Sequence, residues 1–132
     1  GSNYIGGILG RADSGEISIS SCAFEREIVG TTNHGAIIGK SGATCTITDC
    51  YAQATLTNPN TNAGNYGMYN GTATLKNCVY VINNTKRYTG TNFSNWTILP
   101  NNKPVPSGLT WAGAGGTQAT EEKLRQLGYT KG

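Results

Sequence analysis

The stretch Thr-Cys-Thr-Ile-Thr-Asp-Cys-Tyr-Ala (44–52) decides how the chain is interpreted, because it recurs on both sides at one spacing. The earlier copy is Glu-Ile-Ser-Ile-Ser-Ser-Cys-Ala-Phe (16–24), and the later one is Thr-Ala-Thr-Leu-Lys-Asn-Cys-Val-Tyr (72–80). Successive copies place their cysteines 28 residues apart, at Cys22, Cys50 and Cys78. A fixed period of this length is typical of stacked repeats, in which each unit packs on the next.

Apolar and polar residues alternate within each copy, which predicts a strand with one buried face. Stacking the three copies in register would align Ile19, Ile47 and Leu75 in one column. We therefore predict an all-β fold, a right-handed parallel β-solenoid (β-helix) of about three coils. An antiparallel meander is the competing topology, but it would not place equivalent residues side by side.

The repeats predict two regions in the chain. Residues 1–83 would form the repeat region, with units at 4–30, 31–57 and 58–83. The period ends at residue 84, and the segment 84–132 is rich in Asn, Pro, Gly and Thr. Since stacked repeats need an atypical terminal unit, we predict that 84–132 is a cap of loops with a short helix near 120–127. Thr120 would cap that helix and Gly128 would end it.

Composition narrows the possible partners. The chain has 132 residues, of which 13% are charged, and a formal net charge of +3. The basic residues are scattered, so no nucleic-acid surface is expected, and no apolar run is long enough to predict a membrane span. The start at Gly1-Ser2 suggests part of a longer chain. The edge of the first coil would be covered by preceding sequence or by another molecule.

The cysteines are predicted to be buried free thiols. Three occupy one repeat position, and Cys45 shares a column with Ile17 and Ala73, as a small apolar core residue would. A disulfide between neighbouring coils stays open on distance alone. A metal site would lack CxxC spacing and would have only His34 as a nitrogen donor, so no metal or cofactor is expected.

The residues favour binding over catalysis. Glu25 and Glu27 share one strand face, but the next repeat offers Gln53 and Thr55 beside them, so the carboxylate pair of a sugar-cleaving enzyme is missing. We predict a non-enzyme. Aromatic rings in Asn/Gly-rich surroundings suit sugars or proteins, and the candidate ligand-binding residues are Tyr66, Tyr69, Tyr88, Phe93, Trp96 and Trp111. Packing beneath the cap is the alternative, above all for the two tryptophans.

Two segments carry a family resemblance: Gly-Gly-Ile-Leu-Gly (6–10) with its following cysteine, and Gly-Ala-Ile-Ile-Gly (35–39) with Cys50-Tyr51-Ala52. They resemble the GLUG motif, a repeat of bacterial surface and secreted proteins, including adhesin-like proteins of gut Bacteroidetes such as Bacteroides. The resemblance implies a non-catalytic surface module for adhesion or for recognition of a glycan or host protein. The alternatives are a structural stalk or spacer and an accessory segment of a larger secreted hydrolase.

Overall fold

A computed structural model describes residues 5–6, 8–12, 14–28, 34–41, 44–56, 68–71, 73–107 and 115–132. Within these ranges the chain is mostly β, with short strands arranged in five separate sheets and one short helix. No helix in this part of the chain has the length and apolar character needed to cross a membrane.

The repeats form strands that pair with their equivalents in the neighbouring repeat. The strands are β1 (Ile5–Gly6), β2 (Leu9–Ala12), β3 (Glu16–Ser20), β4 (Ala23–Ile28), β5 (His34–Gly35), β6 (Ile38–Ser41), β7 (Thr44–Thr48), β8 (Tyr51–Leu56), β9 (Tyr69–Gly71), β10 (Thr74–Lys76) and β11 (Val79–Ile82). Every pairing among them is parallel. Ile19 lies opposite Ile47, and Ile47 opposite Leu75, so the 28-residue period sets the register.

The prediction of a single right-handed parallel β-solenoid is wrong, because the sheets are mixed. The later strands are β12 (Thr85–Tyr88), β13 (Trp96–Ile98), β14 (Pro104–Pro106), β15 (Thr117–Gln118) and β16 (Thr130–Lys131). Strand β12 runs antiparallel to β11, and β13, β14 and β15 form an antiparallel sheet of their own. Strand β16 pairs parallel to β12 and forms the far edge of a five-stranded sheet, in the order β16-β12-β11-β8-β4.

The reversal between β11 and β12 has a local cause. Asn83 and Asn84 form a two-residue turn in which both have positive φ, 50° and 67°. Two consecutive left-handed residues are the signature of a type I′ hairpin, and asparagine tolerates that conformation well. The turn therefore sends the chain back beside β11 as an antiparallel strand, where a solenoid would require another coil.

A second left-handed position recurs with the repeat. Ser21, Asp49 and Asn77 each precede a repeat cysteine, and their φ values are 52°, 51° and 52°. This residue joins the two longest strands of each repeat and turns the chain between two sheets. Asn and Asp suit such a turn because their side chains are short and polar.

Two hydrophobic clusters lie on opposite faces of the five-stranded sheet. The first lies inside the repeats and contains Ile47, Cys50 and Cys78. The four cysteines are free thiols, and Cys22 is only partly buried. The Cys50 and Cys78 thiols donate to backbone carbonyls, and burial raises the pKa of each to about 12. Both thiols therefore stay protonated at neutral pH.

The second cluster lies between the outer face of that sheet and the C-terminal region. It includes Trp96, Tyr88 and Leu124. Leu124 belongs to α1 (Glu121–Gln126), where the sequence predicted a helix near 120–127, and the Thr120 hydroxyl caps it by accepting from the Lys123 amide at 3.1 Å. Phe93, Trp96, Ile98, Ala119, Leu124 and Tyr129 thus cover one face of the sheet.

Candidate functional site

The structure places three of the aromatic candidates in the interior. Tyr88 and Trp96 are 0% exposed and Phe93 is 2% exposed. Phe93 packs edge-to-face between the other two, with ring centroids 5.7 Å from Tyr88 and 6.3 Å from Trp96. Their rings stabilise the second cluster and do not face solvent, which corrects their assignment as ligand contacts.

The other three aromatic candidates are Tyr66, Tyr69 and Trp111. Tyr66 and Trp111 lie outside the described residues. Tyr69 is the first residue of β9 and pairs with Ile38 through the backbone. The structure therefore brings none of the six candidates together on an exposed surface within the part of the chain that it describes.

A polar surface groove lies instead on the outer face of the five-stranded sheet. Two adjoining depressions of about 320 and 350 Å³ share the side chains of Gln53, Val81 and Asn84. We call them together the sheet groove. Its remaining lining residues are Glu25, Tyr51, Ala54, Thr55, Lys86, Asn101, Asn102, Lys103 and Tyr129.

The floor of the sheet groove is a row of paired residues. Gln53 lies opposite Glu25 on one side and Val81 on the other, and Val81 lies opposite Lys86. These four residues occupy four neighbouring strands, so the row is about 14 Å long at the usual strand spacing. It begins with a carboxylate and ends with an ammonium group, with an exposed amide between them.

The wall of the sheet groove comes from a turn after β13. The Asn101 carboxamide accepts from the Lys103 amide at 3.2 Å, and the Asn102 amide donates to the Leu99 carbonyl at 2.8 Å. Lys103 forms an ion pair with Glu25, and its Nζ lies 5.4 Å from the centroid of the Tyr51 ring. Partial burial of this ammonium group lowers the pKa of Lys103.

Two tyrosines hold polar side chains of the sheet groove in position. The Tyr51 hydroxyl donates to Gln53 Oε1 at 2.9 Å, which orients that amide. Lys86 Nζ lies 5.3 Å from the centroid of the Tyr129 ring and donates to the Leu127 carbonyl at 3.2 Å. Burial raises the pKa of both Tyr51 and Tyr129, so these hydroxyls act as neutral hydrogen-bonding groups at physiological pH.

The sheet groove presents hydrogen-bonding and charged groups of mixed type. It presents exposed carboxamides and charged groups, while its one carboxylate is engaged by Lys103. In the part of the chain that the structure describes, no group of three His, Cys, Asp or Glu side chains is arranged to hold a metal ion. The groove offers donors and acceptors at fixed positions, which is what a polar ligand needs for orientation.

Most of these lining residues were missed at the level of sequence. The alternation of inward and outward residues along each strand places Gln53 and Glu25 on the same outer face of the sheet, and this pattern could have indicated a shared surface. Lys103 and Tyr129 follow Gln53 by 50 and 76 residues, and no local pattern links them to it. No protein-family model, curated protein or solved structure matches the chain.

Proposed function

We propose that the protein is a non-catalytic recognition module of a bacterial surface or secreted protein, and that it binds a glycan in the sheet groove. The observation that carries the proposal is the group of exposed polar residues Glu25, Gln53, Thr55, Asn84 and Lys86 in one surface depression. The resemblance to GLUG repeats supports the surface location.

The groove suits sugar hydroxyls because its polar groups are of mixed type. Gln53 and Asn84 provide both donors and acceptors from carboxamides, and Thr55 adds a hydroxyl. Since Tyr51 already donates to Gln53 Oε1, the Gln53 amide nitrogen remains directed to other acceptors. A ligand rich in hydroxyl groups would satisfy such a surface better than an apolar one.

A structural spacer is the second candidate function. Its support is the in-register parallel pairing of the repeats, which would set a fixed distance per unit. The burial of Tyr88, Phe93 and Trp96 also favours it, because it removes three aromatic rings from the exposed surface. A spacer needs no ligand, so binding measurements separate the two functions.

The test is binding to an array of immobilised glycans by the wild type and by Gln53→Ala and Asn84→Gly variants, since glycine keeps the positive φ of residue 84 while removing its carboxamide. We expect each variant to weaken binding about fivefold or more, as the loss of one or two hydrogen bonds would. Ser18→Ala is the matched control, since Ser18 is exposed on β3 in a different sheet. Absence of binding to every glycan, or equal binding by all variants, would overturn the proposal in favour of a spacer.

A further inference from the structure

We infer that the ligand of the sheet groove is an acidic glycan, and that its carboxylate binds at the Lys86 end of the row. The inference rests on the proposed function and goes further by naming the chemical class of the sugar. It is argued from the unequal partners of the two lysines that line the groove.

Lys103 is already neutralised by a carboxylate. Its ammonium group pairs with Glu25, and its side chain is only 21% exposed. A second carboxylate placed at this end would meet the Glu25 charge as well as the Lys103 charge. The Lys103–Glu25 pair therefore favours uncharged hydroxyl groups at its end of the groove.

Lys86 differs because its described partners carry no formal charge. Its Nζ contacts the Leu127 carbonyl and the face of the Tyr129 ring, and no carboxylate pairs with it among the residues that the structure describes. These contacts hold the ammonium group in place while leaving its charge uncompensated. The carboxylate of an acidic sugar can accept charge-assisted hydrogen bonds from an ammonium group positioned in this way.

The two ends of the row give the ligand a direction. Glu25 and Lys86 are separated by Gln53 and Val81 across three strand spacings, about 14 Å in all. The Lys103–Glu25 pair offers no net charge to a ligand carboxylate, whereas Lys86 attracts it. An oligosaccharide with a uronic-acid residue would thus bind with its acidic ring over β12 and its hydroxyl groups over β8.

The probes for the test are trigalacturonic acid and its fully methyl-esterified form, which differ in charge and share the same sugar rings. We expect the wild type to bind the acid about two to five times more tightly than the ester. The Lys86→Gln variant should lose this preference by weakening the acid alone. Raising the salt concentration should weaken wild-type binding of the acid and leave the ester unchanged.

Lys123→Gln is the matched charge control, because Lys123 is exposed on α1 and does not line the groove. An effect of Lys123→Gln equal to that of Lys86→Gln would overturn the inference, as would equal wild-type affinity for acid and ester. If the ester binds, Gln53→Ala abolishes binding and Lys86→Gln has no effect, the proposed function stands and the acidic ligand is excluded. If neither probe nor any arrayed glycan binds, both fail.

Discussion

Replacing Asp49 by alanine should destabilise the protein more than any exposed substitution. Asp49 is 8% exposed and lies in the left-handed turn at φ 51°. Its Oδ1 accepts from Trp96 Nε1 at 3.0 Å, and its Oδ2 accepts from Asn95 Nδ2 at 3.2 Å. The carboxylate therefore joins the repeat strands to the region that walls the sheet groove.

The expected magnitude has two parts. Removing the carboxylate leaves the Trp96 indole N–H buried without its acceptor, at a cost of about 2 kcal/mol. Alanine also resists the left-handed conformation by about 1 kcal/mol, since its Cβ crowds the following carbonyl. Asp49→Ala should thus lower the free energy of unfolding by about 3 kcal/mol.

Two further variants separate these parts. Asp49→Gly removes the acceptor but accepts positive φ, so it should cost about 2 kcal/mol. Asp49→Asn keeps the turn and one oxygen for the indole, and should cost about 1 kcal/mol for the lost charge. Trp96→Phe removes the donor, so Asp49→Gly should cost much less in that background.

Urea denaturation at neutral pH, followed by far-ultraviolet circular dichroism, measures these differences at constant slope. The expected order of destabilisation is alanine, then glycine, then asparagine. Asp49→Gly within about 0.5 kcal/mol of the wild type would refute the role of the indole hydrogen bond. Equal costs for alanine and glycine would refute the turn strain.

Three other expectations concern backbone and protonation. A Cβ on Gly90 (φ +88°) would collide with a neighbouring side chain, whereas one on Gly15 (φ +92°) meets nothing within 4 Å. In urea denaturation, Gly15→Ala should therefore lower the free energy of unfolding by about 1 kcal/mol, and Gly90→Ala should lower it clearly more. Thr120→Ala should cost about 1 kcal/mol in the same assay through loss of the helix cap. Burial raises the pKa of Cys50 and Cys78 from 9.0 to about 12, so the folded state binds more protons than the unfolded state at high pH. The contribution of the thiols to the free energy of unfolding should be fully present below pH 9.0 and should fall as pH rises toward 12, by at most about 1.4 kcal/mol per pH unit for each thiol. A urea midpoint that does not move in this range would contradict the burial of the thiols.

The parallel pairing of the repeats could be predicted because the 28-residue period determines both which residues pair and which face of each strand is buried. Ile19, Ile47 and Leu75 alternate with polar residues at a constant spacing, and the structure pairs them. The fold class could not be predicted by the same route. The repeat pattern describes only segments that resemble one another. The strands after residue 84 do not resemble the repeats, so the direction of these later strands depends on turn geometry.

The aromatic residues were misleading for a related reason. Asn/Gly-rich surroundings suggested ligand contacts at Tyr88 and Phe93 and packing beneath the cap at Trp96, and all three rings are buried. The outer row of the sheet at Tyr51 and Val79 is apolar enough to need cover, and both residues belong to the second cluster. Burial of this row is favourable at about 25 cal/mol per Å² of apolar surface, so the ring-bearing loops fold onto it.

The dipeptide Asn83-Asn84 accounts both for the end of the parallel repeats and for the position of Lys86 in the sheet groove. The Asn83 carboxamide exchanges two hydrogen bonds with the Leu56 backbone, at 2.7 and 3.2 Å, which fixes the end of β11 against β8. The hairpin that follows returns the chain along β11 and places Lys86 opposite Val81. The same reversal that breaks the repeat architecture therefore creates the positive end of the sheet groove, and the binding proposal depends on it.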